Sequence, residues 1–163
     1  MSLSRREARE AVFGLLFETE FKKEEDPKEI FAISCDDREI GQDDYIKNAY
    51  FGVCENLGTI DALINRHSNG WKTTRISRVS RSILRLSVYE MLFLPDIPHS
   101  VSMNEAVELC KKYDEESARP FVNGVLNAVK EELESKEKGT EEPRMAFEDP
   151  EKTKTPAGTD DEN

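Results

Sequence analysis

Histidine, cysteine and tryptophan are scarce in this 163-residue chain, which holds two, three and one of them. Cys35, Cys54 and Cys110 are odd in number and widely spaced. They form neither a disulfide framework nor a C-x-x-C metal or redox pair. Each sits in or near an apolar periodic segment, so a buried free thiol in a reducing cytosol is the expectation. His67 and His99 stand beside a turn and a proline elbow, with no serine or cysteine in a triad-like setting. There is no G-x-G-x-x-G, no P-loop and no H-E-x-x-H. These absences argue against an enzyme, and neither cofactor nor metal is expected. No run approaches the roughly 18 apolar residues of a membrane span. The opening MSLSRREARE has no apolar signal core. A cytoplasmic protein is expected.

Charge is plentiful and unevenly placed. Apolar residues make up 37% and charged residues 35%, with 23 Lys and Arg against 34 Asp and Glu, a net of -11. That total disfavours an anionic partner, but its distribution reverses the inference. Residues 135–163 carry nine acids and five bases, and Pro143, Pro150 and Pro156 interrupt any helix. They read as a disordered acidic tail behind a domain at 1–134. Residues 18–44 carry eleven acids and four bases. The segment Ala62–Tyr89 holds Arg66, Lys72, Arg75, Arg78, Arg81 and Arg85 with no acid, and Arg5, Arg6 and Arg9 open the chain. A bipolar chain of this kind can bind an anionic polymer despite its net charge.

Helical periods run almost throughout, with no convincing strand alternation. The first helix is expected from about Arg5 to Phe21, with Ser4-x-x-Glu7 as a capping box. At about 100° per residue, Arg5, Arg6 and Arg9 share one face. Asp26-Pro27 opens a short helix to about Ile33. Another runs from about Asp44 to Leu57, ended by Gly58, and Thr59 caps the next. A long helix spans about Ser77 to Leu94, stopped by Pro95 and Pro98. Ser102-x-x-Glu105 reads as a second capping box. The last helix begins after Ser117 with Pro120 in its first turn. The result is an all-α fold of about seven helices.

Within Phe121-Val122-Asn123-Gly124-Val125-Leu126, the helical glycine costs about 1 kcal/mol relative to Ala. It marks close packing or the approach of a partner backbone, and close packing is the expectation for Gly124. Asn123 has no packing reason to be there and suits a base- or backbone-reading group. Phe121 reads first as core and second as a stacking face for a base.

The run IPHSVSMNEAVELCKKY at 97–113, followed by FVNGVLN at 121–127, closely resembles the C-terminal signature of the NusB family of bacterial transcription antitermination factors. Trp71 and SRSILRLSVYE at 80–90 match the family's central helix, and RREARE at 5–10 matches its arginine-rich N-terminus. The resemblance covers roughly residues 4–133. Met103 and Cys110 stand where the family more often has Ile and Ala, both conservative in volume. The resemblance implies a non-enzymatic protein of two small packed helical bundles. It also implies pairing with NusE, a ribosomal protein that serves in transcription. The pair binds the single-stranded boxA element of nascent RNA within the elongation complex. It thereby suppresses premature termination, notably on ribosomal RNA operons; some members form homodimers.

On that reading Arg5, Arg6 and Arg9 contact phosphates. Arg81 is the stronger candidate of the second cluster, with Arg78 on its face and Arg66, Lys72 and Arg75 widening the basic surface. Phe121 and Asn123 are candidates for base contacts. Arg85 is expected in a structural ion pair, with Glu90 or Glu105 as partner, and Trp71 as a plug between bundles. The competing reading is a homodimeric helical protein-interaction module without direct RNA binding.

Overall fold

The computed structural model describes residues 3–38, 40–69 and 75–141. They form seven α-helices and, among the described residues, no strand: α1 (Arg5–Glu20), α2 (Pro27–Arg38), α3 (Asp44–Glu55), α4 (Leu57–Arg66), α5 (Arg78–Phe93), α6 (His99–Tyr113) and α7 (Ala118–Glu141). Trp71, Lys72 and residues 142–163 lie outside the described residues.

Local chemistry sets most helix starts. The Ser4 hydroxyl accepts from the Glu7 amide at 3.0 Å, and the Glu7 carboxylate accepts from the Ser4 amide at 2.9 Å, completing the expected capping box. The Asp43 carboxylate accepts from the Ile46 amide at 3.0 Å, and Ser77 does the same for Ser80 at 3.1 Å. α2 runs to Arg38 rather than ending near Ile33.

Two expected boundaries are corrected. α3 ends at Glu55 with Asn56 as its cap, not at Gly58: the Asn56 side-chain amide donates to the Gly52 carbonyl at 2.8 Å, and its backbone amide closes on Gly52 and Val53. A side chain thus satisfies the end carbonyls that a terminal glycine would otherwise turn toward the backbone. α4 starts at Leu57, which places Gly58 and Thr59 inside its first turn. α6 starts at His99, so Ser102 lies inside it and caps nothing. The Pro98 carbonyl accepts from Val101 and Ser102 at 3.0 and 3.3 Å, starting the helix a turn early. That frees Ser102 and Glu105 for longer-range bonds.

α5 is the centre of the packing. It lies against α1, α3, α4 and α6, while α1 also packs on α2 and α3. Its Ile83, Leu84, Leu86 and Val88 are buried with Val12 and Leu15 of α1, Ile46 and Val53 of α3, and Ile60 and Ile64 of α4. α7 buries Val122, Val125, Leu126 and Val129. Residues through Val129 form one compact unit. From Lys130 the chain forms a second, in which Lys136 pairs with Glu132 at 3.0 Å.

Candidate nucleic-acid interface

The arginines fall into an inner and an outer set. Arg9 is buried, and its Nε and Nη2 donate to the Glu90 carboxylate at 2.7 and 3.3 Å. Glu90, only 1% exposed, also accepts from the Ser102 hydroxyl at 2.6 Å and from the Tyr45 hydroxyl. One carboxylate therefore ties α1, α3, α5 and α6 together. Burial opposes the charge on Arg9, but hydrogen bonding and attraction from Glu90 outweigh it and leave the pKa raised. Burial, with the Glu90 charge added, pushes the Tyr45 hydroxyl far upward, so it stays a donor.

Arg81 is also buried, donating to Glu20 and, at 3.0 Å, to the Ile76 carbonyl. Arg85 donates to Glu20 at 2.8 Å and forks onto Asp61 at 2.9 and 2.7 Å. The structural role expected of Arg85 is present, with Glu20 and Asp61 as partners in place of Glu90 or Glu105. The solvent-facing placement expected for Arg9 and Arg81 is corrected: helical period fixes the direction of a side chain, not its depth beneath neighbouring helices.

The outer set is different. Arg6 forks onto Glu105 at 3.0 and 2.8 Å while its side chain stays 65% exposed. The Arg5 guanidinium lies over the Tyr45 ring, 4.3 Å from its centroid. Arg78 lies 4.7 Å over Phe21, a ring 59% exposed at the end of α1. Neither Arg5 nor Arg78 meets a carboxylate among the described residues. Arg5 begins α1 and Phe21 caps its end. At 16 residues and about 1.5 Å each, the two sites stand roughly 24 Å apart along that helix. The structure therefore does not bring the two arginine clusters together.

On α7, Asn123 is exposed and Phe121 is half-buried. Gly124 is exposed, and a Cβ added there meets no atom within 4 Å, which overturns the expectation of close packing. Gly52 on α3 is close-packed instead: an added Cβ would collide with the Tyr89 ring. Its signal, a glycine inside the apolar run Tyr50-Phe51-Gly52-Val53, was present in the sequence. Along α1, Phe13 stacks on Phe17 at 6.0 Å, Phe17 meets Phe21 edge-on at 5.1 Å, and Tyr113 joins Phe13 at 4.8 Å.

Cys110 is buried, with its thiol pushed up to about 11 by burial and Asp114. Cys54 is half-buried and raised by burial; the Cys35 side chain lies outside the described residues. Among the described residues no cluster is placed to hold a metal ion, and no helix is long and apolar enough to cross a membrane.

Comparison with known proteins adds to this geometry. The NusB family model matches residues 6–131. The chain is 44% identical over 132 residues to the transcription antitermination protein NusB of Bacillus licheniformis, spanning 81% of this chain and 100% of that one. Against the protein of the same name from Ruminiclostridium cellulolyticum it is 41% identical over 129 residues, 78% of this chain and 88% of the other. The fold superposes on T. maritima NusB with a TM-score of 0.72 and 38% identity, covering 82% and 99% of the two chains. A crystal structure of antitermination factors NusB and NusE in complex with dsRNA gives a TM-score of 0.70 and 31% identity, covering 78% and 96%.

Proposed function

The chain belongs to the NusB family, and we propose that it binds boxA-type RNA jointly with NusE and so suppresses premature transcription termination, notably on ribosomal RNA operons. It acts in the cytoplasm, by binding rather than catalysis. Residues 1–134 form the binding domain, and 135–163 an acidic tail; the disorder expected throughout that tail does not hold for its first residues, because α7 continues to Glu141.

One observation carries the RNA reading. Arg5 and Arg78 hold their guanidiniums over the Tyr45 and Phe21 rings without a neutralising carboxylate among the described residues. A cation held in place and left unpaired is what a phosphate backbone requires. Arg6 adds a third exposed guanidinium, Phe121 a ring and Asn123 an amide for bases. Arg9 and Arg81 serve the same surface from beneath by fixing α1 and α5.

A titration of labelled boxA-type RNA, with and without NusE and at several salt concentrations, tests this. Scrambled RNA and a duplex of the same sequence are the controls, because the NusB–NusE neighbour holds double-stranded RNA. Selective binding that needs NusE is expected, with log affinity falling linearly against log salt. Arg5→Ala, Arg6→Ala and Arg78→Ala each flatten that slope by about 0.7 if the strand is single. Equal affinity for scrambled RNA, with and without NusE, overturns the reading in favour of a homodimeric protein-interaction module.

A further inference from the structure

Beside Arg5, two adjoining hollows of about 510 and about 640 Å³ share Asn48, Tyr89, Phe93 and Leu94. The first is bounded by Arg5 and Tyr45, the second by Phe51, Lys47 and Lys28. Their volumes fall within the roughly 300–1,000 Å³ of small-ligand sites. The floor is rigid. The Tyr89 hydroxyl donates to the Asn48 carbonyl at 3.4 Å, and its ring occupies the space that a side chain at position 52 would need. Phe93 stands 5.3 Å from the Tyr89 ring and is 41% exposed.

Several surface cations elsewhere are paired: Arg6 with Glu105, Lys112 with Glu10, Lys22 with Glu18, Lys111 with Glu108. Arg5, Lys28 and Lys47 meet no carboxylate among the described residues, although Glu55 and Asp96 also border the hollows. Unneutralised cations beside an exposed ring, here Phe93, are the arrangement that holds single-stranded nucleic acid. The cations take phosphates and the ring takes a base in a sequence-tolerant way. We propose that this groove between α3 and the C-terminal end of α5 binds unpaired nucleotides that continue from the strand held at Arg5. The inference rests on the RNA-binding reading above and gives the strand a path beyond its core element.

The test uses the full chain with NusE. It compares a boxA-type core RNA with the same RNA carrying a few unpaired uridines at either end. One extension raises affinity roughly fivefold or more, as a single aromatic stack of ordinary strength does. Phe93→Ala abolishes that gain while core RNA binds as before. Lys47→Glu lowers the gain and flattens its salt dependence. Both positions are exposed, and helical circular dichroism confirms that the variants fold. No gain at either end, or a gain that survives both substitutions, overturns the groove site while leaving core binding intact. A Phe93→Ala variant that alters self-association but not the gain assigns the face to a second copy and also overturns it. Failure of the core RNA to bind is a different result: the RNA reading falls first, and the groove proposal with it.

Discussion

Replacing Glu90 by Gln removes the negative charge from a site where every facing group is a donor. Arg9 supplies two N–H bonds, and Ser102 and Tyr45 one O–H each. Gln retains one acceptor oxygen, and its amide NH2 is satisfied only if the Ser102 or Tyr45 hydroxyl turns from donor to acceptor. Arg9, itself 6% exposed, is left without its counter-charge. Removing one member of a buried pair costs about 3–5 kcal/mol. Glu105, 3.9 Å from the far Arg9 nitrogen, offsets part of this and sets the expectation near 3 kcal/mol. For a domain of this size that lowers Tm by roughly 10–15 °C. Urea unfolding followed by helical circular dichroism reads the change. Arg9→Met alone costs a similar amount, because Glu90 is then buried and charged. The double variant Arg9→Met with Glu90→Leu costs far less than the sum of the singles, since a packed apolar pair carries no stranded charge. A Glu90→Gln variant within about 1 kcal/mol of the parent refutes the reasoning, as does additivity across the cycle. The same double variant separates frame from contact: with Arg9 holding helices rather than phosphate, it binds RNA with the parent's salt slope.

Three further outcomes follow from the same contacts. Lys112 and Tyr113 hold the Glu10 carboxyl below the usual range, and Arg6 holds that of Glu105. At Glu20 burial pushes upward, but Arg81 and Arg85 outweigh it. A depressed folded pKa gives stability that is complete above the unfolded value and lost as pH falls through the folded one. The urea midpoint therefore drops on acidification below about pH 5, and Glu20→Gln shows a shallower drop. Gly124→Ala raises stability by about 0.4–1 kcal/mol, because the added methyl meets no atom and the unfolded chain loses freedom. The same substitution weakens RNA binding if a backbone approaches there, so a calorimetric scan and an RNA titration are run on one variant. Ser82 carries a buried hydroxyl that finds no hydrogen-bond partner among the described residues. Ser82→Ala stabilises by about 1 kcal/mol, a gain of a few degrees in Tm that thermal unfolding detects.

Features that depend on a few neighbouring residues were legible in the sequence. The Ser4 box, the Ser77 cap and the Pro120 start of α7 all involve groups within a helical turn, so a short string specifies them. The misplaced start of α6 has the opposite cause. Ser102 and Glu105 have the spacing of a capping box, but their side chains serve Glu90 and Arg6 in other helices. A local motif cannot reveal that its donors and acceptors are used elsewhere. Arg9 and Arg81 failed for the same reason on a longer scale: their carboxylates lie 81 and 61 residues away in the chain. One signal pointed to the answer. The segment Ala62–Tyr89 contains six cations and no acid, and its arginines alternate with the apolar residues of a central helix. Any of them that faces inward must import its counter-charge from another element, because an unpaired buried cation is too costly to keep. Arg81 and Arg85 do so from Glu20 of α1 and Asp61 of α4. A nucleic-acid surface in such a protein is therefore found by subtraction. The arginines that count are those remaining after the core has claimed its pairs. Sequence density located the clusters, but only packing separates the arginines that build the frame from Arg5 and Arg78, which meet no carboxylate among the described residues.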